Sequence, residues 1–530
     1  MAARLPLSGV KVLDFMWVLA GPGITRAMAD YGATVVRIES VNRVDPTRTV
    51  GPFKDNNTSP EHSALFGNNN AGKLSLTLDL ARPEARDIVF DLVRWADLVC
   101  ESFSPKAMRA WGFDYEALRA VKPDLVMLSS CLMGQTGPLA RFAGFGNLAA
   151  ALCGFYNLVG WPDRTPSGPF SAYTDYIAPR FGLAAVMAAL IHRKRTGQGQ
   201  YIDQAQAESA LQFLTLPILD TVASGRDYRP VGNDDPDHAP HGIYPAAGDD
   251  RWVAIACRTE DQWRALCSSM QLAQHAPLAD DPRFKDLAAR RQHRDDLDRA
   301  IAQWTRQRTA HETEQLLQSR GVPAHTVQNT VDANADPQLL HRDHFVRVDH
   351  PVAGETVVEH SRYKLSRTPA QVNRGGPALG QDNQYVLETL LATTRIASAS
   401  WSPSVRWANP PRPPTIRIDR IEPREKNSPP SAAPLMAEFV EEGLGLLQVG
   451  GVESLGEPVV DGGEHRARLV ATALRCEQSH EAGGRTQLPG LGTHLLGERD
   501  RLAKVGFGKA AVSLFEPQFS ADSISLGLET

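Results

Sequence analysis

Apolar and polar positions follow a regular order along the first 135 residues of the chain. Short apolar runs predict strands at residues 10–15, 33–39, 74–80, 97–101 and 125–130. Helical spacing of apolar positions predicts helices between them, at residues 24–32, 83–95 and 114–121. Strands that alternate with helices at this spacing pair in parallel, because each crossover helix returns the chain to the same sheet. The pattern therefore predicts an α/β fold with a doubly wound, Rossmann-like sheet.

A turn and a long loop interrupt this order. Residues 19–23 predict a turn at the place where such folds hold phosphate-bearing ligands, although the spacing does not match the dinucleotide fingerprint GxGxxG. Residues 45–72 predict an irregular loop. Later in the chain, apolar spacing predicts a core-facing helix at 145–152, strands at 201–205 and 252–256, and a helix at 208–223.

Shifts in composition predict how the chain is divided. A polar loop rich in Gly, Asp and Pro begins near residue 228, and Pro-rich stretches begin near residue 394. We expect a Rossmann-like large domain at 1–227, a small α/β domain at 228–330, a return segment that completes the large domain at 331–393, and a Pro/Gly-rich, disordered or weakly folded tail of unknown role at 394–530.

Composition and charge narrow the class of protein. The chain has 530 residues, 42% hydrophobic and 22% charged, and its formal net charge of -5 argues against a nucleic-acid or membrane surface as the main partner. No signal-peptide core and no stretch fit to span a bilayer are found, so we expect a cytoplasmic protein. Six cysteines without metal-ligand spacing predict reduced thiols. His238 and His241 match no metal template, so we interpret them as part of a polar loop and expect no metal site.

One acidic residue stands out by its place before a long apolar helix. Asp175 follows a loop rich in Gly and Pro and precedes an apolar helical stretch at 181–191. Basic residues at 192–195 and Gly197 mark the end of that helix. The helix dipole and free N–H groups at its start would hold a carboxylate ionised. The pattern alone leaves two interpretations open for Asp175, an N-cap residue and a catalytic carboxylate.

Several motifs, taken in order, resemble those of a known family. They are LSGVKVLD (7–14), AGP (20–22), YGATVVRIE (31–39), WGFDY (111–115), GQTGP (134–138) and RKRTGQGQ (193–200). With these motifs, residues 5 to about 392 resemble the class III CoA-transferases of the CaiB/BaiF type. This family includes formyl-CoA:oxalate and carnitine CoA-transferases and is related to the α-methylacyl-CoA racemases. The tail lies outside the resemblance.

The resemblance implies a fold, an assembly and a chemistry. It implies that the large domain binds CoA and that two chains interlock as a homodimer. The family's catalytic aspartate falls on Asp175. A carboxylate serves both as nucleophile and as leaving group, so Asp175 would carry an aspartyl anhydride and then an aspartyl-CoA thioester. Coenzyme A and acyl-CoA would be substrates together with a carboxylic acid. We expect no metal and no tightly bound cofactor.

The resemblance also implies where CoA binds. The candidate contacts follow the predicted strands and are Val18, Leu19, Ala20, Leu78, Asp79, Leu80, Ala81, Ser102, Phe103, Ser104 and Arg109. Arg109 stands one residue before the family's basic position, which Ala110 occupies here. The family covers its site with a glycine-rich loop, for which Gly232 and Asn233 are the candidates.

Two other functions remain as alternatives. The racemases pair the aspartate with a histidine for proton transfer, but Phe145 stands at that position here and cannot carry a proton. A non-catalytic CoA-binding or scaffold protein is the other alternative, and the presence of Asp175 argues against it. Aromatic residues for an apolar acyl pocket are present, although core packing is the commoner role for them: Phe145, Tyr156, Trp161, Phe170 and Tyr173. The sequence does not identify the acyl donor or the acceptor.

Overall fold

The structure is a computed structural model that describes residues 4–271 and 278–392. The side chain of residue 271 is not described. The predictions made for the tail at 394–530 lie outside the described residues.

A parallel sheet of six strands forms the first part of the described chain. Its strands are β1 (Lys11–Phe15), β2 (Thr34–Glu39), β3 (Leu74–Thr77), β4 (Leu98–Glu101), β5 (Val126–Cys131) and β6 (Tyr201–Ala205). The strand order is β3-β2-β1-β4-β5-β6, and every neighbouring pair is parallel. In register, Val12 lies opposite Val35 on one side and Leu98 on the other. The predicted parallel α/β sheet is confirmed.

Helices connect these strands. They are α1 (Ala20–Asp30), α2 (Ala64–Asn69), α3 (Pro83–Trp95), α4 (Ala107–Trp111), α5 (Tyr115–Val121), α6 (Gly146–Cys153), α7 (Tyr173–Thr196), α8 (Gln206–Leu211) and α9 (Thr215–Ser224). Apolar residues of α3 and α5 cover one face of the sheet, and those of α1 and α7 cover the other. Alternate β1 residues face the two cores, since Leu13 belongs to the first and Val12 to the second.

The structure corrects three predictions for local elements. The residues predicted as a turn at 19–23 already include the start of α1 at Ala20. The loop predicted at 45–72 contains α2. The single helix predicted at 208–223 is broken by a 3₁₀ turn at Gln212–Leu214, between α8 and α9. The helix predicted to face the core at 145–152 is confirmed as α6, which buries Ala149 and Ala150 while its Leu148 and Leu152 are exposed.

The sequence was expected to contain no stretch that could span a bilayer. Helix α7, however, is long and apolar enough to do so by length and composition alone, with 24 residues and a mean hydropathy of 1.2 in its most apolar window. However, 44% of that window is buried, and α7 packs against α1, α6 and α8. Packing within the fold therefore covers part of its apolar surface.

A second sheet follows with a core of its own. Strands β7 (His241–Pro245), β8 (Trp252–Ala256) and β9 (Ala324–Thr326) pair antiparallel, and helices α10 (Glu260–Gln271), α11 (Leu287–Gln292), α12 (Arg294–Thr305) and α13 (Ala310–Gln318) accompany them. Trp263, Leu297 and Trp304 lie in the core that these elements share. The domain boundaries at 227/228 and 330/331 stay predictions.

The last described segment packs beside the edge of the first sheet. It contains α14 (Thr330–Ala335), α15 (Pro337–His341), the antiparallel hairpin β10 (Phe345–His350) and β11 (Gly354–Glu359), and a π-helix (Tyr385–Leu390). The Asp382 carboxylate accepts the N–H of Ser75 at 2.8 Å, and the Asn383 amide oxygen accepts the N–H of Thr77 at 2.8 Å. These bonds hold the segment against edge strand β3.

Candidate active site

The strand order places a crevice at the carboxyl end of β1. From β1 the chain continues to β2 and β3 on one side, and then returns to β4 on the other side of β1. Loops diverge at such a reversal, and ligands of parallel sheets bind there. A cavity of about 210 Å³ opens at this place. Its lining comes from the carboxyl ends of four strands and the segments after them, and from the first turn of α7: 17–21, 102–105, 131–132, 140–145, Gln206 and Asp175.

Hydrogen bonds fix the turn after β1 against neighbouring loops. The N–H of Trp17 donates to the Ser102 hydroxyl at 2.9 Å. The N–H of Val18 donates to the Asp45 carboxylate at 3.1 and 3.3 Å. Asp45 is buried and also pairs with the buried Arg37. Val18 has a φ of 68°, which is strained for a β-branched residue, so these bonds hold a costly backbone conformation at the cavity wall.

Asp175 lies in the first turn of α7 and is not its N-cap. The N-cap is Ala172, and no side chain caps the helix. The N-cap interpretation of Asp175 is therefore wrong. The Asp175 residue is 4% exposed. Gly146, the first residue of α6, gives the carboxylate its space, because a Cβ built at Gly146 would lie 2.6 Å from Asp175 Oδ1.

Burial determines the ionisation of Asp175. It raises the pKa of the carboxyl from the ordinary value of 3.8 to about 7, because a poorly solvated site disfavours the charged form. A hydrogen bond from the backbone of Gly146 opposes this effect only in part. The expectation that the helix start would hold Asp175 ionised is therefore wrong for the chain alone. Close to neutral pH, the carboxyl exchanges readily between its two forms.

A larger cavity of about 1070 Å³ adjoins the first. The two share Ser104, Pro105, Ala140 and Arg141 in their walls. The larger one also has Lys106 and Arg109 in its lining, together with the acidic residues Glu101, Asp114 and Glu116. Burial raises the pKa of Glu101, on its inner wall, to about 7. The combination of a mostly apolar cavity with a neighbour whose lining carries charged groups of both signs suits a ligand that has an acyl end and a polar, charged end.

The structure brings most of the sequence-predicted site residues together. Val18, Leu19 and Ala20 line the smaller cavity with Ser102, Phe103, Ser104 and Asp175. Arg109 lines the larger cavity only. Their roles in binding and catalysis stay predictions.

The structure does not bring the predicted contacts after β3 to either cavity. Leu78 is buried in the sheet core with Leu80 packed against it. The Asp79 carboxylate accepts the N–H of Ala81 at 3.1 Å and the side-chain amide of Asn42 at 3.2 Å. Residues 78–81 therefore pack in the sheet core or form hydrogen bonds within their own loop. In the described chain they line neither cavity.

The loop proposed to cover the site also lies elsewhere. Gly232 packs on the ring of Trp161, and its N–H donates to the Gly160 carbonyl oxygen at 2.9 Å. Asn233 lines a separate cavity beside the second sheet. Among the candidate aromatic residues, Phe145 is the one that lines the Asp175 cavity. None of the described residues that line this cavity is a histidine, so its lining offers no partner for racemase-type proton transfer.

Two polar lining residues were missed from the sequence. Gln206 follows β6 directly, and Arg141 lies in the segment after β5. Polar residues just beyond the carboxyl ends of parallel strands are the signal that would have found them. The exposed Arg141 has no ion-pair partner in the described part of the chain.

Known proteins resemble the chain over the described region. The family model described as CoA-transferase family III matches residues 7–383. The succinyl-CoA–D-citramalate CoA-transferase of Chloroflexus aurantiacus is 34% identical over 389 residues, which are 73% of this chain and 95% of that protein. The succinate–glutarate CoA-transferase of Agrobacterium fabrum is 33% identical over 397 residues, 74% of this chain and 98% of that protein.

A solved structure agrees with these relatives. The crystal structure of a CaiB/BaiF family protein from Brucella suis is 30% identical, has a TM-score of 0.67, and aligns over 73% of this chain and 100% of that chain. The family inferred from the sequence motifs is thereby confirmed. The chain belongs to CoA-transferase family III, and it is a CoA-transferase.

Proposed function

We propose that Asp175 is the nucleophile that carries CoA between an acyl-CoA donor and a carboxylic acid. A carboxylate oxygen of Asp175 attacks the thioester carbonyl carbon, the C–S bond breaks, and CoA leaves as its thiolate. The product is a mixed anhydride of Asp175 and the donor acid. The thiolate then attacks the Asp175 carbonyl carbon, which releases the donor acid as a carboxylate and leaves an aspartyl-CoA thioester.

The second half of the proposed cycle repeats these steps with the acceptor acid. Its carboxylate attacks the aspartyl thioester and expels CoA thiolate. The thiolate attacks the acceptor's acyl carbon in the new anhydride, which forms the new acyl-CoA and restores the Asp175 carboxylate. No net proton transfer is required.

The observation that carries this proposal is the placement of the buried Asp175 carboxyl in the wall of a mostly apolar cavity. A mostly apolar lining offers few hydrogen-bond partners to water, which would hydrolyse an anhydride. Ala20 and Gly21 line the same cavity at the start of α1, where backbone N–H groups have no intrahelical acceptor. We infer that these N–H groups stabilise the anionic tetrahedral intermediates, at about 2.7–4 kcal/mol for each well-placed donor.

We propose succinyl-CoA as the donor. The two relatives described above carry succinyl-CoA or succinate in their names. Arg141 supports this choice, because it lines the Asp175 cavity as a cation without a partner among the described residues. A free carboxylate at the far end of a succinyl group would pair with such a guanidinium. Lys106 and Arg109 in the adjoining cavity would then hold CoA phosphates.

We further propose that the enzyme works as a homodimer. Apolar side chains on and beside α9 are largely exposed in the single chain, with Phe213 at 58%, Leu216 at 81% and Val222 at 81%. A surface of this kind is typical of protein–protein contacts. The interlocked arrangement implied by the family would cover it with a second copy.

Acyl trapping tests the proposed nucleophile. Purified enzyme would be incubated with succinyl-CoA and other acyl-CoAs, treated with hydroxylamine or borohydride, and analysed by intact and peptide mass. An adduct on the Asp175 peptide, absent in Asp175→Asn, is expected. The exposed Asp163→Asn serves as matched control and should label like the wild type. Full CoA transfer by Asp175→Asn would refute the assignment.

A further inference from the structure

Gln206 is a buried side chain that the proposed cycle does not use. It directly follows β6, is 8% exposed, and lines the cavity that contains Asp175. Its amide oxygen, Oε1, is buried and has no hydrogen-bond partner in the described chain. A buried amide oxygen without a partner is unfavourable, since it has lost water and gained nothing in exchange.

A neighbouring glutamine shows what a purely structural role looks like here. Gln204 is buried to the same extent, and its Oε1 is also unpaired. Its amide nitrogen, however, donates to the Ala178 carbonyl oxygen at 2.7 Å and to the Ser209 hydroxyl at 3.3 Å, which ties β6 to α7 and α8. Gln204 does not line the Asp175 cavity. No comparable bond holds the Gln206 side chain among the described residues, so its carboxamide is available to a ligand.

The chemistry of a carboxamide limits which ligand satisfies it. The nitrogen donates and the oxygen accepts. An acid with only a carboxylate offers acceptors, so it can pair with the nitrogen but leaves Oε1 unpaired. A hydroxyl group on the same carbon chain supplies the missing donor. Most other lining residues of this cavity are apolar, and the Ser102 hydroxyl is bonded to Trp17, so the carboxamide is, beside Arg141 and Ser104, one of the few polar groups in the lining that can recognise an acid.

We propose that Gln206 selects an acid substrate that bears a hydroxyl group on its carbon chain. The amide oxygen of Gln206 accepts the hydroxyl hydrogen, and the amide nitrogen donates to an oxygen of the reacting carboxylate. This inference rests on the proposed function of Asp175 and adds the class of acid that reaches it. Gln206 is a specificity-determining residue and takes no part in bond making.

Matched acids that differ by one hydroxyl group test the proposal. The full chain would be assayed with succinyl-CoA and the pairs glutarate–2-hydroxyglutarate and propionate–lactate, with both enantiomers of each hydroxy acid. In at least one pair, the hydroxy acid is expected to have a kcat/KM about tenfold or more above that of its partner, as a buried group left unpaired predicts. Equal values in every pair would overturn the inference.

Variants assign the preference to one side chain. Gln206→Met keeps the length of the side chain and removes both polar atoms, so the preference should vanish through a higher KM for the hydroxy acid. Gln206→Glu keeps an acceptor oxygen and should retain the preference at lower rates. Gln204→Met is the matched control and should leave the ratio unchanged, whatever it does to stability. A preference that survives Gln206→Met, or is lost in Gln206→Glu, contradicts the proposal.

Calorimetric binding separates this inference from the proposed function. Titration of the wild type and Gln206→Met with each acid pair requires no turnover. Tighter binding of the hydroxy acid to the wild type alone supports the role of Gln206 even if Asp175 forms no adduct. An Asp175 adduct with no hydroxyl preference in either assay supports the proposed function and overturns the inference.

Discussion

At the scale of single residues, two groups beside the cavity are held in locally unfavourable states. The Asp175 carboxyl becomes a weaker acid because it is poorly solvated. A weaker acid is a stronger nucleophile once ionised, and a pKa of about 7 leaves a substantial ionised fraction at neutral pH. Val18, in contrast, carries backbone strain that the neighbouring Asp45 maintains. Both residues show local costs at the place where chemistry is proposed.

The raised pKa predicts how the rate depends on pH. Only the ionised Asp175 attacks, so kcat/KM should rise with pH through about 7 and level off above it. Between pH 6 and pH 8 the ionised fraction, and with it kcat/KM, should increase about tenfold. Steady-state rates over this range would measure the profile. A profile that is flat down to pH 5 would show that the free enzyme holds Asp175 ionised.

Stability gives an independent check on the same pKa. The folded state keeps the Asp175 proton up to about pH 7, whereas the unfolded chain releases it near 3.8, so wild-type stability decreases as pH rises between these values. Asp175→Asn removes the cost of ionising a buried carboxyl. Its free energy of unfolding at pH 8 should therefore exceed that of the wild type by on the order of 1–4 kcal/mol. The difference should shrink toward pH 4 in denaturant titrations.

Backbone strain at Val18 predicts a stabilising substitution. Glycine adopts a φ of 68° without the clash that a β-branched side chain causes there. Val18→Gly should therefore raise the free energy of unfolding by about 1 kcal/mol, while Val18→Ala, which keeps Cβ, should gain less. Urea denaturation would compare them. A clear loss of stability in Val18→Gly would mean that packing of the isopropyl group outweighs the strain.

At the scale of elements, a buried ion pair joins segments that are distant in sequence. The Lys73 ammonium, just before β3, contacts the Asp14 carboxylate of β1 at 3.0 Å and the Pro22 carbonyl oxygen of α1 at 3.1 Å. Neither charged side chain is exposed. Burial lowers the pKa of Lys73 to about 8 although Asp14 counteracts it. The pair thus connects β1, β3 and the helix that carries the proposed oxyanion donors.

Removing one partner of this pair should be costly. Lys73→Met leaves the Asp14 charge buried and uncompensated, so the free energy of unfolding should fall by about 3–5 kcal/mol. Lys73→Met combined with Asp14→Asn should lose less than the sum of the two single changes, because the unpaired charge is gone. The exposed Lys194→Met provides the baseline. Additive losses in this double-mutant cycle would contradict coupling.

The sequence predicted the strands and helices better than the connections and boundaries between them. Strands β1 to β5 were found because buried parallel strands form apolar runs between helical segments. The start of α1 at Ala20 was missed because Gly21-Pro22-Gly23 reads locally as a turn, and packing overrides that preference: Gly23 lies against Pro179 of α7. Asp175 was found through motif resemblance, whereas its raised pKa and its contact with Gly146 depend on tertiary burial that local spacing does not encode.

At the scale of the whole molecule, the exposed apolar surface around α9 predicts self-association. The enzyme should sediment as a dimer, because burying such side chains on a second copy removes them from water. Leu216→Asp together with Val222→Asp should shift the population toward monomer in analytical ultracentrifugation. The control Val331→Asp, at an exposed position on α14, should leave the dimer intact. A monomeric wild type would refute the proposed assembly.

The cavity is lined mostly by loop and helix residues beyond the strands, and this separation from the sheet affects how the enzyme can evolve. Lining residues such as Leu19, Arg141 and Gln206 lie beyond the strand ends, so they can change while the ladder that holds the sheet together stays intact. A lineage can therefore acquire a new acid by a few substitutions without passing through an unfolded intermediate. Relatives about one-third identical whose names include different acids, citramalate and glutarate, are what such drift would produce.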